Sequence, residues 1–182
     1  MKIVAINGSL RKGSYNGKLI DVVKAKCPDN ITFETASIDE LPLFNEDLEA
    51  SPPDRVLSFK EQLANADILL FATPNYNGSI PGVLKNAIDW ASRSYDGHPN
   101  SLSGKIGMIV GATPGMSGTL PAQMHLAEIL SLLNVMLAPQ PRVMVSNAHE
   151  KTNEEGKLVL DELNAKALDS LLTRTINLAN NQ

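Results

Sequence analysis

The chain has 182 residues, of which 43% are hydrophobic and 20% charged, with a net charge of −4. That length and composition suit one ordinary globular domain with a buried core and exclude a disordered chain. The acidic balance gives no electrostatic basis for binding nucleic acid, and no apolar run approaches the roughly 18 residues that cross a bilayer, so no membrane insertion is expected.

The opening residues Met1-Lys2-Ile3-Val4-Ala5-Ile6 run directly into Asn7 and Gly8. This run is too short for a signal-peptide core and has no cleavage site. A single Cys27 cannot close an internal disulfide, so a reducing, cytoplasmic location is expected. Cys27 itself reads as an inert packing residue before Pro28, near a helix end.

In chain order, the pattern predicts a strand at residues 2–6 and then a helix at 16–26 carrying Leu19, Ile20, Val22 and Val23. A strand at 31–38 leads into a long loop at 39–51 that contains Leu41-Pro42-Leu43-Phe44. A helix at 52–64 follows, with Ser51 as its expected N-cap, Pro52 in its first turn and Asp54 at the third helical position. Next come a strand at 67–72 and a helix at 81–92 with Leu84, Ala87, Ile88 and Ala91 on one stripe. A strand at 105–111, a mostly apolar helix at 120–133, a strand at 135–145 broken by Pro139 and Pro141, and a helix at 160–178 complete the chain. The first, third and fourth strands are nearly continuous apolar runs, as strands buried on both faces should be. Strict alternation of strand and helix predicts a single doubly wound α/β domain over residues 1–182. Periodicity leaves the flavodoxin-like and Rossmann-like strand orders open, but in both the ligand binds at the carboxyl ends of the strands.

Three loops lie there. The first, Gly8-Ser9-Leu10-Arg11-Lys12-Gly13-Ser14-Tyr15-Asn16, leads into the first helix. Backbone N–H groups, the helix dipole, two hydroxyls and Arg11 can converge on a phosphate, and the competing reading is a polar turn with Ser14 simply capping the helix. Ser14 stands where a P-loop needs lysine, and Leu10 breaks the dinucleotide fingerprint, which disfavours a nucleotide kinase or GTPase and favours a monophosphate such as FMN. The second loop, Thr73-Pro74-Asn75-Tyr76-Asn77-Gly78-Ser79-Ile80-Pro81-Gly82, offers backbone donors and a Tyr76 ring to a flavin, or is a tight turn held by Asn and Pro chemistry. The third, from Gly111 to Thr119, is small and bare, as a loop against a flat ring would be.

Together these loops resemble those of the NADPH-dependent FMN reductase family of flavodoxin-like proteins, which includes quinone, azo-dye and chromate reductases. The resemblance runs over nearly the whole chain. It is strongest in the first loop, in Pro74-Asn75-Tyr76-Asn77-Gly78-Ser79-Ile80-Pro81-Gly82-Val83-Leu84-Lys85-Asn86-Ala87-Ile88-Asp89-Trp90, and in Leu41-Pro42-Leu43-Phe44-Asn45-Glu46-Asp47-Leu48. It implies a three-layer sandwich with a five-stranded parallel sheet of order 2-1-3-4-5. By position it implies that Ser9, Arg11, Ser14 and Asn16, with Tyr15 beside them, hold the FMN phosphate. Pro74, Asn75, Tyr76 and Asn77 would border the ribityl chain and ring, and the turn from Thr113 to Gly115 would close the other edge.

The same resemblance implies hydride transfer from NADPH or NADH through FMN to a small-molecule acceptor, with ping-pong kinetics, and a homodimer or homotetramer. The chain departs from the family's usual pattern at Asn75, where glutamate is common, and at Ala127, where arginine is common. No catalytic acid or base is assigned. His98, His125 and His149 lack metal-ligand spacing and read as surface or packing residues, while Lys85, Asn86 and Asp89 read as helix-bracing. A flavodoxin-like electron carrier without enzymatic turnover, and a flavin-free binding protein on the same fold, are the rival readings.

Overall fold

The computed structural model describes residues 1–95, 97–138 and 140–181. Strands β1 (Lys2–Asn7), β2 (Thr32–Ala36), β3 (Ile68–Ala72) and β4 (Ile106–Ala112) pair in parallel in the order β2-β1-β3-β4. At the far edge the expected fifth strand is two short pieces, β5 (Met136–Leu137) and β6 (Val143–Val145). Both pair in parallel with β4, β5 at Ile106 and Gly107 and β6 from Val110 to Ala112. Pro141 lies in the gap and has no N–H to give a ladder, which accounts for the interruption. Pro139, the other expected breaker, lies outside the described residues. With the split strand in fifth place, the order is the flavodoxin-like 2-1-3-4-5.

Alternation along the strands builds the two cores. Val4 and Ile6 of β1, with Leu69 and Phe71 of β3, face a cluster completed by α2 (Asp54–Ala64), α3 (Gly82–Ser92) and α4 (Leu120–Leu132). Ile3 and Ala5, with Ile68, Leu70 and Ala72, face the opposite cluster, completed by α1 (Tyr15–Lys26) and α5 (Glu162–Asn180). A strand buried on both faces needs apolar residues at every position, which is why β1 and β3 read as unbroken runs.

Local chemistry sets the helix ends. Ser14 caps α1, its Oγ accepting from Gly17 N–H at 3.2 Å. Asp161 caps α5, accepting from Asn164 N–H at 2.8 Å. Helix α2 differs from expectation: it begins at Asp54 with Pro53 at the cap and no side-chain cap bond, so Ser51 stays outside the helix. The two prolines hold the chain extended until Asp54, whose charge still favours the helix N-terminus. Cys27 is the C-cap of α1, half-buried, and burial raises its thiol pKa.

The long loop before α2 contains a short 3-10 turn at Glu46–Leu48 and is tied down from α3. The Asn86 side chain accepts from Phe44 N–H at 2.7 Å and donates to Pro42 O at 2.9 Å. Trp90 is fully buried, donates Nε1 to the same carbonyl at 2.8 Å and meets the Phe44 ring edge-on. Asn86 therefore braces the loop across 44 residues of sequence rather than its own helix, whereas Lys85 and Asp89 do pair within α3.

Candidate functional site

The carboxyl ends of β1, β3 and β4 each open into one of the three loops. Between the loops lies a cleft of about 180 Å³, lined by Ser9, Arg11, Ser14, Tyr15, Asn16, Pro74, Asn75, Tyr76, Ala112, Thr113 and Pro114. Every residue named for the site except Asn77 and Gly115 lies on this lining, with Pro114 of the expected Thr113–Gly115 turn, and Ala112 joins it.

The first loop turns at Gly8, whose N–H donates to Ala72 O at 2.8 Å. A Cβ on Gly8 would sit 3.1 Å from that carbonyl, so the close approach of the loop to β3 favours glycine. Asn7 organises the turn from the end of β1. Its Oδ1 accepts from Ser9 N–H at 3.2 Å and lies 3.5 Å from Ser14 Oγ. Ser9 is buried, and its Oγ accepts from Arg11 N–H at 3.4 Å. Asn7 was not singled out from the sequence; an asparagine directly after an apolar strand is the turn-forming signal that marks it.

At the start of α1, Gly17 N–H goes to Ser14 Oγ and Lys18 N–H to Ser14 O, while the N–H groups of Tyr15 and Asn16 have no partner among the described residues. Unpaired donors at a helix N-terminus form an anion site. The Arg11 guanidinium packs over the Tyr15 ring, 4.8 Å from its centroid, and enters no ion pair among the described residues. Ser14 thus both caps the helix and lines the cleft.

The Asn16 side chain has a structural part that its position in the sequence did not suggest. Its side chain is buried and takes both backbone groups of Ala112, donating Nδ2 to the carbonyl and accepting from the N–H, each at 2.9 Å. The amide therefore ties α1 to the end of β4, and what Asn16 leaves free for an anion is its backbone N–H.

The second loop is a two-residue hairpin turn. Tyr76 and Ser79 exchange both backbone hydrogen bonds at 3.0 Å, and Asn77 and Gly78 have φ values of 52° and 78°. Positive φ at both central positions is the type I′ pattern that Asn-Gly supplies. Asn77 is exposed at the tip and shapes the turn instead of lining the cleft. Tyr76 is 51% exposed at the rim. Asn75 Oδ1 is buried and has no hydrogen-bond partner among the described residues. An unmet buried acceptor costs about 1–3 kcal/mol, so a donor that reached it would be bound with corresponding gain. His125 on α4 holds the turn from behind, its Nδ1 2.8 Å from Ser79 Oγ. Helical position alone gave no sign of that contact, which spans 46 residues.

In the third loop, Thr113 N–H donates to Val145 O, and Ala148 N–H donates to Thr113 O. Gly115 accepts from Asn147 N–H and donates to Thr113 Oγ1, so it fastens the loop outside the cleft. Just before it, a Cβ on Gly111 would lie 2.7 Å from Thr73 O, which is why the strand end carries no side chain there.

Comparison with known proteins identifies the family. The model of the family described as NADPH-dependent FMN reductase matches residues 1–150. An NAD(P)H-dependent FMN reductase of Pseudomonas aeruginosa is 44% identical over 163 residues, covering 89% of this chain and 86% of its own. A 2-hydroxy-1,4-benzoquinone reductase of a Burkholderia species is 37% identical over 162 residues, covering 89% and 87%. Among solved structures, the flavoenzyme NAD(P)H:(acceptor) oxidoreductase FerB of Paracoccus denitrificans superposes with a TM-score of 0.85 at 33% identity, covering 99% of this chain and 97% of its own. The chain belongs to the NADPH-dependent FMN reductase family. It is an oxidoreductase with the flavodoxin-like fold.

Proposed function

We propose that the cleft holds FMN and that the protein passes hydride from NADPH or NADH to a small acceptor of the quinone class. The observation that carries this reading is convergence: the unpaired N–H groups at the start of α1, Arg11, and the Asn75 and Tyr76 turn line the same cleft. The backbone N–H groups of Tyr15 and Asn16, the hydroxyls of Ser9 and Ser14, and Arg11 would hold the phosphate. Pro74, Asn75 and Tyr76 on one side, and Thr113 on the other, would border the ribityl chain and ring. Asn75 would offer its amide to the ring's polar edge. When bound, FMN supplies two-electron chemistry by taking up hydride from the nicotinamide and delivering it to the acceptor.

The protein's residues orient and expose. At about 180 Å³ the cleft is smaller than the roughly 300–1,000 Å³ of pockets that bury a ligand of this size, so part of the ligand stays open to solvent. One open cleft serves donor and acceptor in turn, which gives ping-pong kinetics. No side chain on the lining is assigned as acid or base, and protons reach the site from water. The relatives' printed names, an FMN reductase and a benzoquinone reductase, support the donor and the acceptor class.

Two further parts of the reading are a cytoplasmic location and a homodimer or homotetramer. Exposed apolar side chains at Met116, Leu120, Met124 and Leu132, on and before α4, support self-association, and sedimentation measures it. Purified protein should show a flavin spectrum on adding FMN, oxidise NADPH or NADH with a benzoquinone, and give parallel double-reciprocal plots. Colourless protein without FMN affinity overturns the cofactor. Bound FMN without nicotinamide oxidation overturns the hydride relay, and intersecting plots overturn the shared cleft.

A further inference from the structure

The other side of the first loop carries a cationic groove that shares Arg11 and Ser14 with the proposed flavin site and extends beyond it. It encloses about 280 Å³ between the first turns of α1 and the end of β2, and Asn7, Arg11, Lys12, Lys18 and Thr35 line it. Most cations of the chain are already committed. Lys2, Lys26, Arg55, Lys85, Arg93, Lys151, Lys157 and Lys166 pair with carboxylates, and Lys60 and Lys105 donate to backbone carbonyls. Arg11, Lys12 and Lys18 have no anionic partner among the described residues, yet they gather on one groove. Arg11 and Lys18 share only the Tyr15 ring, at 4.8 and 5.6 Å from its centroid. Asp21 also lines the groove, so the lining carries three positive charges against one negative. Three like charges drawn together against the single carboxylate of Asp21 are costly, and an anion relieves that cost.

A second depression continues from the first and shares Asn7, Arg11 and Thr35 with it. It encloses about 290 Å³, and Leu10, Ala36 and Ile38 give it an apolar floor. Leu10 is 50% exposed there, a large apolar side chain that nothing covers. Its one carboxylate, Asp39, is engaged by Ser37 and Arg55. Arg11 lines both depressions and the flavin cleft, so the three form one continuous surface around the first loop. An apolar slot next to a cationic groove fits a purine nucleoside that bears a phosphomonoester.

We infer that these depressions bind the adenosine 2′-phosphate of NADPH, with the purine over Leu10, Ala36 and Ile38 and the 2′-phosphate among Lys12, Lys18 and Asn7. This rests on the proposed function for the nicotinamide end. It makes Lys12 and Lys18 determinants of preference for NADPH over NADH, since the two donors differ only in that phosphate. Charge-assisted contacts to a phosphate are strong enough for two lysines to decide the preference.

The test is calorimetric titration of the FMN-saturated protein with 2′,5′-ADP, 5′-AMP and inorganic phosphate, in the wild type and in the Lys12→Gln/Lys18→Gln double variant. Steady-state kinetics with NADPH and NADH accompany it. Both lysines lie on the surface side of the loop and α1, so an unchanged melting temperature and FMN affinity verify that the variant is folded and loaded. The expected result is wild-type binding of 2′,5′-ADP in preference to 5′-AMP, weakened about tenfold or more in the variant. The KM for NADPH should rise by a similar factor, while the KM for NADH and both kcat values hold. Equal binding of 2′,5′-ADP by the two proteins, or equal changes for NADPH and NADH, overturns the assignment. Inorganic phosphate binding as tightly as 2′,5′-ADP overturns the adenosine part. Failure of the flavin reading would show separately, as absence of a flavin spectrum in the same samples.

Discussion

Asn16 spends its side chain on a single peptide unit, and the consequence reaches the cleft. Its amide satisfies both the N–H and the carbonyl of Ala112, next to Thr113 on the opposite wall. Asn16→Ala leaves both groups buried and unpaired, at a cost of about 2–4 kcal/mol from two lost partners. Urea unfolding should register that loss, and FMN titration should show weaker binding because the third loop is no longer tied to α1. The sequence placed Asn16 in the site but not its side-chain tie to Ala112; that contact spans 96 residues, so no local pattern encodes it. Asn75 is the opposite case. Its buried Oδ1 is unmet in the protein alone, so Asn75→Ala removes a destabilising group and, on the proposed function, a residue bordering the ligand. Melting of the FMN-free variant should be unchanged or higher, while FMN affinity falls about threefold to tenfold, the worth of one hydrogen bond. A variant that loses stability without losing affinity would assign Asn75 to the fold alone.

At the scale of elements, what was legible in the sequence is what local periodicity controls. Strands β1, β3 and β4 and helices α1, α3, α4 and α5 fall within two residues of their predicted ends, because each carries a long apolar pattern. The split of β5 from β6 and the uncapped start of α2 depend on hydrogen-bond partners elsewhere in the chain, and patterns of residues carry little of that. The same holds for the clamp between α2 and α3. Lys60, in α2 and 1% exposed, donates to the carbonyls of Ala91 and Arg93 at the end of α3, and its ammonium lies 4.9 Å from the Tyr95 ring centroid. Arg93 holds Glu49 of the long loop against that same end. Burial lowers the Lys60 pKa from 10.5 to about 8, with Glu49 partly opposing the shift. Between those values the unfolded chain binds the extra proton, so stability attributable to Lys60 rises with pH from about 8 to 10.5. Lys60→Met should lose the carbonyl contacts at every pH and flatten that rise. Denaturant midpoints of the two proteins, measured in parallel from pH 7 to pH 10.5, should therefore diverge as pH increases. A constant difference would show that the ammonium titrates normally.

Across the whole molecule, the cleft is assembled from the ends of β1, β3 and β4, the adjacent central strands of the sheet. Those strands separate the two cores, and both hydrophobic clusters include residues from all three. A ligand that bridges the three loops can remain bound only while the central strands keep their register, so its binding energy is coupled to global unfolding instead of to one mobile loop. FMN at about 100 times its dissociation constant should then add about 2.7 kcal/mol to the stability. For a chain of this size that corresponds to a rise in melting temperature of roughly 5–11 °C. Asn16→Ala supplies the internal control, because it unfastens the third loop without removing a residue from the sheet. In that variant FMN should still bind at the start of α1 but more weakly, and so raise the melting temperature by clearly less than in the wild type at the same FMN concentration. Calorimetric scans of the two proteins at the same FMN concentration measure both increments. Equal increments in the two proteins would mean that the ligand engages the first two loops only and leaves Thr113 outside the site.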